Sequence, residues 1–274
     1  MPRDIHNLYA QFKRDRLQGL AVTDALIKHL ERNNIQFTIK PDEDNRTRHL
    51  FIVHPESLKL ACENPDIAIT DCTYQTNKFN LPLLHMIGTY LINWTFQYFQ
   101  KAFGVFELGA NFFKGITGSG KTFSIGFAFL PNESIESYTF AFEEFRKLGI
   151  RPPVMVMDGS DGLKSAADKV YTNMPTLLCT WHVNKNVLSK CKGKFRTKEE
   201  WETFYSAWRN LIQSPTFEVF DERWQEFKNN YDNDNTGYCV NYIKDEWIKP
   251  GQTERLVTAW TNRYQHFDTT VTTR

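Results

Sequence analysis

The chain has 274 residues, 41% of them hydrophobic and 24% charged, enough for one large domain or two modest ones and unlike the composition of a disordered chain. Its formal charge of +1 excludes a uniformly basic nucleic-acid coat, although not a local basic patch. Five cysteines without regular spacing do not form a disulfide framework. No secretory signal and no run of about 18 apolar residues is present, so the sequence reads as soluble and intracellular.

In chain order, the first thirty residues predict helix. Leu8, Phe12 and Leu17 alternate with charged residues, and Ala25, Leu26 and Leu30 continue a stripe that stops at Asn33 and Asn34. Residues 35–39 and 49–53 read as a small hairpin ahead of the main body. Residues 65–130 predict strands. Ile67, Ile69 and Asp71 share a face with Asp71 at the strand's end, residues 79–87 form a second run, and residues 122–130 form a third. In the third, Phe123, Ile125, Phe127 and Phe129 point inward. Residues 131–134 start a helix carrying Ile135, Tyr138, Phe142, Phe145 and Leu148, stopped by Gly149. A buried strand over 154–157 ends in Asp158, a helix covers 163–170, a short strand covers 176–179, and another helix follows. From Glu199 on the pattern is helical. Trp201, Phe204, Tyr205, Trp208, Leu211 and Ile212 form one stripe, and Phe217, Phe220, Trp224, Phe227 and Tyr231 form another. Both read as interhelical packing.

Residues 89–114 fit badly. They hold nine aromatic residues where a tight turn between two strands is expected. Their Phe-, Asn- and Tyr-rich composition suggests translated non-coding sequence, such as a retained intron.

Residues 115–122 satisfy the phosphate-loop pattern G-x-x-x-x-G-K-T/S. That chemistry needs a helix opening after Lys121 and Thr122, so that backbone N–H groups aim at the phosphates. The alternating FSIGFAF that follows predicts a strand instead. The glycines are then turn residues, and a nucleotide hydrolase is a minor reading.

Asp71 and Asp158 end strands, where acids of an α/β domain converge on a concave site. Each taken alone is as well explained as a turn or helix-cap residue. The surrounding blocks add to this. Residues 71–84 (DCTYQTNKFNLPLL), 158–167 (DGSDGLKSAA) and 178–186 (LCTWHVNKN) closely resemble the catalytic region of Mutator-like (MULE) transposases. Residues 49–57 and 248–274, the latter with 259–264 and 269–274, resemble further blocks of that family.

The resemblance implies an α/β fold: an RNase H-like mixed sheet with flanking helices, of the DDE recombinase class. It has an N-terminal helical and hairpin segment (1–60), a core (61–190) and an incomplete, truncated all-helical insertion (191–274). It implies metal-dependent DNA cleavage and strand transfer with a pair of Mg2+ or Mn2+ ions. Asp71 and Asp158 would be catalytic metal ligands, and Cys179 and His182 the family's Cys-x-x-His motif. A zinc site of Cys179, His182 and Cys191 is the weaker alternative, for want of a fourth ligand. Asp161 reads as a helix-start residue. DNA is the implied partner, with a homo-oligomer left open, no membrane, and a nuclear location. Lys185, Lys190, Lys192, Lys194, Arg196 and Lys198 form a run without an acid that could neutralise phosphates, or else a solvated loop. The family's third acid follows a Thr-rich block that here ends at Arg274, and Glu246 and Glu254 are poor substitutes. The expectation is therefore a degenerate enzyme with little strand transfer, or a non-catalytic DNA-binding protein derived from one.

Overall fold

The computed structural model describes residues 22–44, 46–63, 67–74, 77, 79–90 and 121–264. The predicted helix before residue 22, most of the 89–114 stretch, residues 115–120 and the block at 269–274 lie outside the described residues.

Seven strands form one mixed sheet in the order β1-β2-β5-β4-β3-β6-β7. They are β1 (Gln36–Pro41), β2 (Thr47–Val53), β3 (Ile67–Thr73), β4 (Leu83–Tyr90), β5 (Lys121–Phe129), β6 (Met155–Met157) and β7 (Thr176–Leu178). β3, β4 and β5 make an antiparallel meander. The chain then crosses through helix α3 (Ile135–Lys147) to β6, which pairs with β3 in parallel, and through α4 (Asp161–Val170) to β7, parallel to β6. This antiparallel-then-parallel order agrees with the expected RNase H-like class.

The hairpin expected ahead of the main body is part of the sheet. Leu50, Phe51 and Ile52 of β2 pair with Phe129, Ala128 and Phe127 of β5. The last five residues of β2 are buried, which a free-standing hairpin could not achieve. Helix α1 (Val22–Arg32) covers this edge through Leu26 and Leu30, packed with Ile35, Leu50 and Ile52. Asn34, at φ 53°, makes the turn into β1.

Two expectations in the meander are corrected. The strand predicted from residue 79 begins at Leu83, because the Asn77 carboxamide oxygen accepts the N–H groups of Phe79 and Leu81, and Asn80 takes a φ of 53°. Nor do the four inward residues of β5 share a face. Met86 pairs with Gly126 and Ile87 with Ser124, so Ile125 is an extra residue between them. Such a bulge reverses the alternation. Phe123 and Ile125 pack beneath α3, whereas Phe127 stacks on His85 and Phe129 reaches the α1 cluster.

The main core lies between one face of the sheet and helices α2 (Pro55–Glu63), α3 and α4. Tyr138, Ala141, Phe142, Phe145, Leu163, Ala166 and Ala167 are its fully buried contribution from α3 and α4. Ser134 caps α3 by accepting the N–H of Ser137, and Gly149 ends it at φ 79°. Ile135, predicted on the inner stripe, is exposed at the helix's first residue.

Beyond β7 come helices α5 (Thr180–Cys191), α6 (Lys198–Ile212), α7 (Phe217–Tyr231), α8 (Gly237–Glu246), α9 (Thr253–Leu256) and α10 (Thr258–Thr261). The stripes on α6 and α7 interlock as expected: Trp208, Phe204, Leu211, Phe220 and Phe227 bury with Val183, Val187 and Cys191 of α5. Phe217, on the second stripe, stays half exposed while packing on the Trp260 ring. A capping box at Thr197 and Glu200 starts α6. Arg255 of α9 reaches Asp168 of α4 at 2.8 Å, tying this helical layer to the sheet domain.

Candidate active site

The candidate site lies on the sheet face opposite α3. β3 places Ile67, Ile69 and Asp71 there by its period of two, while Ala68 and Cys72 enter the main core. Asp71 is two residues inside the strand rather than at its end. The parallel pairs Ala68 with Met155 and Ile69 with Val156 continue toward Asp71 beside Asp158, the residue after β6. Asp158 starts a tight turn: its Oδ1 accepts the Ser160 N–H at 2.6 Å, and the Ser160 hydroxyl in turn caps α4. Gly159 has the Trp247 ring above it. A Cβ there would lie 3.1 Å from that ring, so the helical layer presses directly on the turn. Asp161 is the first residue of α4, as expected, and pairs with Lys164 at 2.8 Å.

Asp71 is 8% exposed. Burial, then the charge of Asp158, raises its carboxyl to about pKa 7; the Cys72 backbone and Lys185 act in the opposite sense. The two carboxylates therefore sense each other in a poorly solvated place.

Helix α5 supplies the third side. Its N-cap Cys179 sends a backbone N–H to the Met157 carbonyl at 2.7 Å, and its turn points His182 back at β3. His182 Nε2 lies 3.6 Å from Asp71 Oδ1, too long for a hydrogen bond. Burial lowers the pKa of His182 against the charge of Asp158, so the neutral imidazole makes a polar contact with Asp71 rather than a full ion pair. The Cys-x-x-His motif is thus divided. Cys179 is fully buried among Ile67, Ile69, Val154, Val156 and Leu177, while His182 faces the acids. Cys191 belongs to the helical core with Cys239, whose thiol lies 3.9 Å from the Cys191 carbonyl, so the three candidate zinc ligands occupy different surroundings.

The basic run separates into two parts. Lys185 stands beside the acids, close enough to lower the pKa values of both Asp71 and His182. Lys190, Lys192, Lys194, Arg196 and Lys198 are exposed at the other end of α5 and beyond. Lys185 is six residues from the helix end, about 9 Å along its axis. Lys194 lies over the Tyr238 ring at 4.9 Å, and Lys198 pairs with Glu202 at 3.4 Å.

Two neighbours escaped the sequence reading. Trp181 is 40% exposed, meets the His182 ring edge-on at 4.7 Å and carries the Lys185 ammonium 4.9 Å from its own ring centre. It stood inside the quoted block, and its spacing of four from Lys185 is a helical signal. His85 pairs with Asp71 across β3 and β4. It is buried, stacked on Phe127 at 4.4 Å and in contact with the Ser124 hydroxyl, and burial lowers its pKa to about 3. No period within one strand reveals that pairing, which depends on register between two strands.

Among the described residues, no three or more His, Cys, Asp and Glu side chains gather as a metal-holding group. Glu246 is drawn to Lys249 at 3.9 Å, and Glu254 accepts the Gly251 N–H at 2.7 Å. The donors that do meet, two carboxylates with repelling charges, suit a hard divalent cation that keeps water or phosphate oxygens in its remaining positions. After residue 122 the chain runs on as strand β5, so the helix a phosphate loop requires is not there. No helix among the described residues is long and apolar enough to cross a membrane.

Comparison with known proteins places these features. "Protein FAR1-RELATED SEQUENCE 5" of Arabidopsis thaliana is 21% identical over 201 residues, covering 73% of this chain and 22% of that protein. "PKS-NRPS hybrid synthetase cheA" of Chaetomium globosum is 24% identical over 205 residues, 71% of this chain and 4% of that protein. The chain thus spans only a small part of either curated relative. Residues 106–186 match the MULE transposase domain, a stretch that includes Asp158, Cys179, His182 and Lys185 but not Asp71. It begins inside the atypical 89–114 stretch, so residues 106–114 of that stretch fall within the match. The match bears out the resemblance read from the sequence: residues 106–186 are similar to the MULE transposase domain.

Proposed function

We propose that this chain is a DNA-binding, divalent-cation-binding region derived from a transposase, with Asp71 and Asp158 as the ligands. The observation that carries the reading is that β3 sets Asp71 beside Asp158, the residue after the parallel-paired β6 and one that lies inside the stretch matching the MULE transposase domain. A buried carboxylate, Asp71, repelled by the half-buried Asp158 forms a site that a Mg2+ or Mn2+ ion would neutralise. When bound, such an ion supplies Lewis-acid activation of a DNA phosphate. The chain's own groups do the rest. Asp71 and Asp158 would fix the ion's place on the sheet, neutral His182 faces the Asp71 carboxylate across 3.6 Å, and Lys185 offers a cation to a phosphate. Lys190, Lys192, Lys194, Arg196 and Lys198 would extend the phosphate contact along the duplex. A nuclear location follows from DNA as partner.

Within this reading we place binding ahead of catalysis. Asp71 and Asp158 are the acids that come together among the described residues, while Glu246 and Glu254 are engaged elsewhere. Two protein ligands give weak cation binding, so the reading expects little or no strand transfer from the 274-residue chain, and a non-catalytic DNA-binding role is its natural form. Incubation with supercoiled plasmid and labelled donor ends in Mg2+ or Mn2+ tests this: retarded DNA without joined product is expected. Robust joined product would overturn the non-catalytic form, and absence of any DNA retention would overturn the reading itself.

A further inference from the structure

We propose that Trp181 and Lys185 form a stacking platform for an unpaired nucleotide of the DNA held at the Asp71 and Asp158 site. The inference rests on the reading of that site as a DNA site and adds the form of DNA it takes.

Three observations meet at this point. A Trp is among the least affordable side chains to leave in water, yet Trp181 is 40% exposed while the other side of its helix is buried through Val183 and Val187. The ring is held in place: His182 packs against it edge-on at 4.7 Å, and His182 is itself 3.6 Å from Asp71. Lys185, one turn along α5, lies over the ring at 4.9 Å and electrostatically reaches Asp71 and His182. A fixed indole and an ammonium in contact, next to two carboxylates, match the two halves of a nucleotide: a base with a π-face and a phosphate with negative charge. A paired base inside a duplex presents only its edge, so indole stacking requires a nucleotide that has left the helix or never paired. The ligand is therefore single-stranded or locally opened DNA, bound with little sequence preference because every base has a π-face.

Fluorescence anisotropy of labelled oligothymidylate and of a labelled blunt duplex, with the 274-residue chain, tests this. Trp181→Ala should weaken oligothymidylate binding by about tenfold while changing duplex binding by less than about twofold, and Trp181→Phe should keep most of the affinity. Lys185→Ala should weaken both ligands and reduce their salt dependence. Matching melting curves for the Trp181 variants would assign the loss to the ring, and Trp181→Phe covers the case in which the alanine variant melts early. Unchanged oligothymidylate affinity in Trp181→Ala, with wild-type DNA binding intact, would overturn the platform alone. Equal losses for both ligands would do the same. Failure of the wild-type chain to bind either DNA would overturn the platform together with the reading beneath it.

Discussion

Asp71 pays a measurable cost for its position. An aspartate that titrates near 3.8 when exposed and near 7 in the fold binds its proton more tightly when folded. Between those values the folded state holds more protons than the unfolded state, so stability falls as pH rises through that window and levels off above pH 7. The three-unit shift corresponds to an upper bound of about 4 kcal/mol. Asp71→Asn should therefore raise the melting temperature of the cation-free protein at pH 8 and change it little at pH 4. Melting curves at the two pH values check this, and equal shifts at both would assign the effect to packing instead of charge. The acids themselves were legible in the sequence, because the blocks around them are long and ordered. That burial and Asp158 together raise Asp71 was not legible, since it depends on which strands are neighbours. His85 was hidden for the same reason.

At the scale of elements, the turn after β6 and the bulge in β5 do most to place the site. Ser160 accepts the Leu163 N–H as the cap of α4, and its own N–H goes to Asp158, so one residue fixes both helix and acid. Ser160→Ala removes only the cap, at about 1 kcal/mol by chemical denaturation. In β5, a Cβ on Gly126 would come within 2.8 Å of the Ile52 carbonyl oxygen, a backbone atom that the sheet holds in place. Gly126→Val should therefore destabilise the fold by at least about 2 kcal/mol, measured the same way, as the β2–β5 pairing is forced apart. Helices α1, α3, α4, α6 and α7 were read from apolar spacing, and so were most strands, whereas α2 over Pro55–Glu63 was not read at all. The alternation of β5 was read as one face because a bulge leaves no mark in a row of Phe, Ile, Phe and Phe. The early start assigned to β4 failed because Asn77 captures the backbone of the residues ahead of it.

On the scale of the whole molecule, the proposed DNA binding of a near-neutral chain requires local contacts. The cations of the basic run divide between Lys185 at the acids and a second group at the end of α5 and beyond, with the helical layer anchored behind them by Trp208, whose indole N–H donates to the Asn184 carboxamide at 2.9 Å. Removing Lys190, Lys192 and Lys194 together should lower duplex affinity and flatten its dependence on salt by about three phosphate contacts at most, without altering cation binding. Filter binding across a salt series checks it. The division of the basic run could not be seen in the sequence, where six cations stand in a row, because it arises from where α5 ends. The resemblance supplied the fold class and the acids, while the platform proposed at Trp181 rests on contacts of that ring with His182 and Lys185 that only the folded α5 shows.

The central claim is that Asp71 and Asp158 together hold a divalent cation. Titration of the 274-residue chain with Mn2+, followed by the electron paramagnetic resonance of the free ion, tests it most directly. The account predicts saturable binding in the wild type that is lost in both Asp71→Asn and Asp158→Asn while the melting curves remain cooperative. Mn2+ binding that persists unchanged in both variants would contradict it.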